Sequence, residues 1–93
     1  MSRNYLICYD IAHPKRLRKI YSFLRRKYTH IQYSVFFGRI DEAELTDLIT
    51  ELSKRINQKE DDIRIYPLPS TIKVDVLGIG DRSGEGVSIF YNK

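Results

Sequence analysis

A single cysteine, Cys8, in 93 residues leaves no partner for an intrachain disulfide and no second thiol for a Cys-x-x-Cys metal or redox site. The two histidines, His13 and His30, do not stand at zinc-ligand spacing from it. An intracellular, cytoplasmic setting is therefore expected. Apolar residues never run for the ~20 positions that a membrane span needs. A strand-like run follows Met1-Ser2-Arg3-Asn4 directly, so no signal peptide and no membrane association are expected. The chain is too short for two self-sufficient cores, which excludes a multi-domain enzyme. What it does contain, 42% hydrophobic and 12% aromatic residues, is enough to fold and too much for a disordered tail.

Acids are scarce in one half only. Residues 1–40 hold nine Lys or Arg against Asp10 alone, a net +8, whereas residues 41–93 hold seven basic and eleven acidic residues, a net −4. Clustered cations suit a polyanion, because phosphate contacts dominate nucleic-acid affinity. The competing reading is a solvated helix face. The lone carboxylate inside the basic region is the feature that separates the two.

Residues 5–9, Tyr-Leu-Ile-Cys-Tyr, form a continuous apolar run that suits a central strand, ended by Asp10. Pro14 fits the first turn of a helix, and Leu17, Ile20, Tyr21, Leu24 and Tyr28 follow at helical spacing. Lys15, Arg16, Arg18, Lys19, Arg25, Arg26 and Lys27 then occupy its outer surface. Residues 31–40 read as strand. Asp41 with Glu44 three residues later reads as a capping pair for a second helix, with Leu45, Leu48, Ile49, Leu52 and Ile56 on its inner stripe. Its acids open it and Lys54 and Arg55 close it, as the helix dipole favours. After a polar turn, residues 63–68 alternate as a strand whose Pro67 belongs at an edge or bulge. Ile72, Val74 and Val76 alternate as a further strand, Gly78, Gly80, Gly84 and Gly86 mark a flexible connection, and residues 87–91 form a last strand suited to another subunit's edge. The class is α+β, with two helices on one face of a small sheet.

Residues 5–11, the helix with Arg16-Leu17-Arg18-Lys19, the Gln32-Tyr33-Ser34-Val35-Phe36 segment and residues 63–68 together resemble the small CRISPR-associated protein family Cas2, in the right order from about residue 3 to 80. The resemblance implies a ferredoxin-like βαββαβ sandwich over residues 1–80. It also implies a glycine-rich linker and a C-terminal strand over 81–93 that completes the sheet of a homodimer partner. Such a sandwich needs two strands between its helices, so residues 31–40 would have to divide; a sharp bend near Tyr33-Ser34 could divide them, and the residue pattern alone does not show where. The resemblance further implies an Mg²⁺-dependent endonuclease acting on single-stranded RNA or duplex DNA, and a scaffold for the spacer integrase Cas1 in antiviral defence. Asp10 is carried over as metal ligand and catalytic residue. Tyr9, Arg16, Arg18 and Phe37 are carried over at the cleft and substrate.

The chemistry fits these residue types. Phosphodiester cleavage needs positive charge at the scissile phosphate and an activated water, and Mg²⁺ is often held by one or two carboxylates with waters and substrate phosphate completing its shell. One acid per subunit is few, but a two-fold axis near Asp10 would double it. The alternative role for Asp10 is to accept amides of the turn at residues 11–14 or to face the following helix's N-terminus. His13 reads as a turn residue and Cys8 as packing, while His30 is unassigned. Arg16, Arg18, Arg25, Arg26 and Lys27 are the expected phosphate contacts, tracking a backbone without reading bases. Tyr9, Tyr33, Phe36 and Phe37 either stack on unpaired bases or, for at least two of them, fill the core. Competing functions are a non-catalytic DNA-binding adaptor and a stand-alone RNA-cleaving toxin. A regulatory or RNA-recognition module of similar fold is discounted for want of its signatures.

Overall fold

The computed structural model describes residues 1–78. The elements run β1 (Arg3–Asp10), α1 (Pro14–Arg25), β2 (Thr29–Gln32), β3 (Val35–Ile40), α2 (Glu42–Arg55) and β4 (Asp62–Leu68). One antiparallel sheet has the order β2-β3-β1-β4, the arrangement of a ferredoxin-like sandwich. The expected division between the helices occurs at Tyr33 and Ser34. Ser34 takes a left-handed backbone with φ of 61°, which reverses the chain between β2 and β3. The first of these strands begins at Thr29, two residues earlier than the apolar run suggests.

Alternation along β1 sends Tyr5, Ile7 and Tyr9 to the helices, where they meet Phe36, Ile40, Ile20, Leu24, Leu48 and Leu52. Asn4, Leu6, Cys8 and Asp10 take the other face, opposite Arg39, Phe37, Val35 on β3 and Leu68, Tyr66, Arg64, Asp62 on β4. This arrangement fixes where the lone acid of the basic half emerges. His13 caps α1, its Nδ1 accepting the Lys15 N–H at 3.1 Å, and Pro14 occupies the first turn. Asp41 caps α2 by accepting the Glu44 N–H at 2.8 Å. The pair is not reciprocal, because the Glu44 carboxylate instead accepts the Tyr28 hydroxyl at 3.0 Å.

Three sequence expectations are corrected. Tyr28 lies beyond the end of α1, where the backbone N–H groups of Lys27 and Tyr28 both close onto the Leu24 carbonyl. Ile49, assigned to the inner stripe of α2, is 49% exposed. Ile72, Val74 and Val76 keep the alternation of a strand, but residues 72–77 form none among the described residues, because periodicity supplies side-chain placement and not a neighbouring edge. The expected linker after Gly78 and the strand over 87–91 lie outside the described residues.

Candidate functional site

Asp10 is exposed at the last residue of β1, and its Cα partner across the β1–β4 ladder is Asp62. Facing Cα atoms in such a ladder lie about 5 Å apart. Asp62 is held by Arg64, whose Nε donates at 3.0 Å. The Asp10 carboxylate makes no hydrogen bond or ion pair among the described residues. Of the turn amides that would have given it a structural role, that of Ala12 is taken by Asp61, donating to Oδ1 at 2.9 Å, and just past the turn Lys15 N–H donates to His13. Among the described residues no three His, Cys, Asp or Glu side chains gather at metal-binding distance. The donor set of one chain is therefore a carboxylate with a second opposite it. That suits a hydrated Mg²⁺ completed by phosphate or by another subunit, and does not suit a closed protein cage.

The basic outer face of α1 divides into two. Arg16 turns inward: its Nε meets Asp61 Oδ2 at 2.7 Å and its Nη2 meets Glu60 Oε1 at 2.9 Å, with only 24% of the side chain exposed. Asp61 holds the guanidinium in its charged form, and Arg16, together with the Asn57 and Ala12 amides, holds the Asp61 carboxyl well below the usual carboxylate range. Arg16 is thus committed within the chain rather than offered to phosphate. Lys15, Arg18, Lys19 and Arg26 remain exposed and line an open groove of about 510 Å³ with Ser22, Phe23 and Arg55. Arg55 stands 4.3 Å above the Phe23 ring and donates to Glu51, so the groove has a fixed cationic wall on α2. Lys27 approaches the same ring at 5.4 Å, and Arg25 stands over Tyr21 at 6.0 Å.

The aromatic residues carried over to the substrate are buried. Tyr9 is 7% exposed with its ring against Phe36, and burial foremost, then the charges of Tyr21 and Tyr33, push its phenol up to about 12. Phe37 is 8% exposed on the sheet face away from the helices. Neither ring presents a platform to a base in this chain, because a four-stranded sheet consumes its large apolar side chains in packing. Tyr33, at 80% exposed, is the one aromatic of the β2–β3 turn left at the surface. His30 packs on Phe36 and Tyr21, and burial pushes the Cys8 thiol up, away from a reactive thiolate. Sequence reasoning missed Asp61, Phe23 and Arg55. Asp61 sits in a polar turn whose composition marks only a turn, and the Phe23–Arg55 wall joins two helices 32 residues apart.

The family model described as CRISPR associated protein Cas2 matches residues 3–75. The chain belongs to the Cas2 family. It is 48% identical over 87 residues to a protein of Thermodesulfovibrio yellowstonii named CRISPR-associated endoribonuclease Cas2 2, covering 94% of this chain and 96% of that one. It is 36% identical over 80 residues to the CRISPR-associated endonuclease Cas2 of Halalkalibacterium halodurans, covering 81% and 83%. The crystal structure of Streptococcus pyogenes Cas2 at pH 6.5 superposes with a TM-score of 0.74 at 32% identity, covering 81% of this chain and 99% of that one. These relatives support a CRISPR-associated nuclease role for this Cas2 chain. The matched span contains Asp10, the groove and the Asp61 hub. No helix among the described residues is long and apolar enough to cross a membrane.

Proposed function

We propose that this Cas2 chain acts as a homodimeric, Mg²⁺-dependent endonuclease of RNA or duplex DNA, and that its dimer scaffolds the Cas1 integrase during CRISPR adaptation. The observation that carries the catalytic part is the exposed Asp10 carboxylate, which spends none of its acceptors on the described residues. Placed near a two-fold axis, Asp10 and its mate would hold one hydrated ion, which when bound activates a water and offsets charge at the scissile phosphate. Two like carboxylates brought together repel unless a cation or proton intervenes, so metal occupancy is expected to weaken in acid. The helix-free sheet face, where Leu6 and Val35 are half-buried and Phe37 is already covered, and the edge of β4 are the surfaces offered for dimerisation. Lys15, Arg18, Lys19 and Arg26 supply the phosphate contacts, with Arg25 and Lys27 beside them and Arg16 holding the fold.

The test is cleavage of single-stranded RNA and of duplex DNA by wild type and Asp10→Asn, each with Mg²⁺ and with EDTA. Cutting that needs Mg²⁺ and disappears in the variant is the expected result. Equal residual cutting in both proteins would overturn the catalytic reading. It would leave the second one, a non-catalytic DNA-binding adaptor, which the exposed cations lining the α1 groove favour.

A further inference from the structure

We infer that Asp61 is a positioning residue for Asp10, clamping the acidic end of β1 against the start of β4. The inference rests on the reading of Asp10 as a metal ligand. The Asp61 side chain is 0% exposed and both of its oxygens are fully engaged. Oδ1 accepts Ala12 N–H at 2.9 Å and Arg16 Nη2 at 3.2 Å, while Oδ2 accepts Arg16 Nε at 2.7 Å and Asn57 N–H at 2.8 Å. A shielded carboxylate with four donors is held in one place, since moving it strands several partners at once.

That placement brackets the functional end of the sheet. Ala12 follows Asp10 by two residues, and Asp61 immediately precedes Asp62, the residue opposite Asp10. The Ala12–Asp61 hydrogen bond therefore closes a short ring around the Asp10–Asp62 rung, the last of the β1–β4 ladder. A terminal rung is supported from one side only and opens most readily. This one also faces two acids across adjacent strands, a repulsive pairing that Arg64 relieves on the Asp62 side. The Asp61 clamp opposes both tendencies from beyond the ladder's end. Within it two of the donating residues have different tasks: Arg16 neutralises the shielded charge, and Ala12 N–H carries the restraint into the backbone of Asp10.

Full-length protein is titrated with Mn²⁺, the unbound ion being followed by electron paramagnetic resonance. Amide exchange at Ala12 without metal and thermal unfolding are measured alongside. Asp61→Ala is expected to speed exchange at Ala12 and raise the Mn²⁺ midpoint about tenfold, the lower end of what a supporting residue contributes to a metal site. Asp61→Asn keeps a side-chain oxygen for Ala12 and should bind Mn²⁺ like the wild type. Arg16→Gln should lower the Tm while leaving the Mn²⁺ midpoint in place. A folded Asp61→Ala with an unchanged midpoint overturns the inference. If that variant does not fold, the other two decide: weakened binding in Arg16→Gln and Asp61→Asn in step with lost stability would show a general structural role and overturn it as well. Asp10→Asn that still binds Mn²⁺ like the wild type would instead bring down the reading of Asp10. Loss of binding in Asp10→Asn with none in Asp61→Ala removes the clamp alone.

Discussion

Gly38 lies in β3 on the helix-facing side, and a Cβ there would collide with the ring of Tyr28. The missing side chain makes a slot for Tyr28, whose hydroxyl reaches Glu44 on α2. Gly38→Ala is expected to destabilise the protein by about 1–3 kcal/mol through overpacking. Tyr28→Phe keeps the ring and loses one hydrogen bond, about 1 kcal/mol. Urea unfolding of both variants checks the two values. Two phenols set the alkaline limit: burial raises the titration of Tyr9 to about 12, and burial with the nearby Glu44 carboxylate raises that of Tyr28 further. A phenol whose titration is raised in the folded state stabilises fully below its unfolded pKa of about 10 and loses that contribution as pH climbs through the folded value. Thermal melts should therefore show Tm falling above pH 10, less steeply in Tyr9→Phe. Asp61 behaves in the opposite sense. Its depressed titration gives a contribution present above the ordinary Asp pKa of about 4 that is lost as pH falls below it. Asp61→Asn should flatten the acid limb of the same melts.

At the scale of elements, α1 carries the electrostatics. Replacing Lys15, Arg18, Lys19 and Arg26 by Gln should weaken duplex binding and reduce the log–log salt slope by about 0.9 for each phosphate that is no longer neutralised. Filter binding from low to moderate salt measures the slope, and an unchanged slope would take α1 out of the interface. Both helices were legible because their stripes are long and their start signals local: Asp41 and Pro14 act within three residues of where they stand, whereas His13, read as a turn residue, is the cap of α1. The short strands were less so. The break between β2 and β3 rests on one left-handed residue, Ser34, a type that does not announce that conformation, and alternation at Ile72 to Val76 was not matched by a neighbouring edge. Arg16 looked like its neighbours on the helix surface, and only the fold brings Asp61, 45 residues away, to meet it. Asp10 stood out because nothing acidic surrounds it in sequence, whereas Asp62, the acid that faces it, is brought there only by the pairing of β1 with β4.

For the whole molecule, the sheet order places the first strand in the middle, between β3 and β4. Phe36 and Ile7 are fully shielded at that junction, and Phe36→Ala should cost about 3–5 kcal/mol, a loss measurable as a lower urea midpoint. A chain emerging from the ribosome exposes Tyr5, Leu6 and Ile7 before either neighbouring strand has been synthesised. The first possible mate begins at residue 35 and the second at residue 62. Through that interval the sticky leading segment is followed by a run of cations, whose mutual repulsion discourages nascent chains from coalescing until the centre of the sheet can be filled.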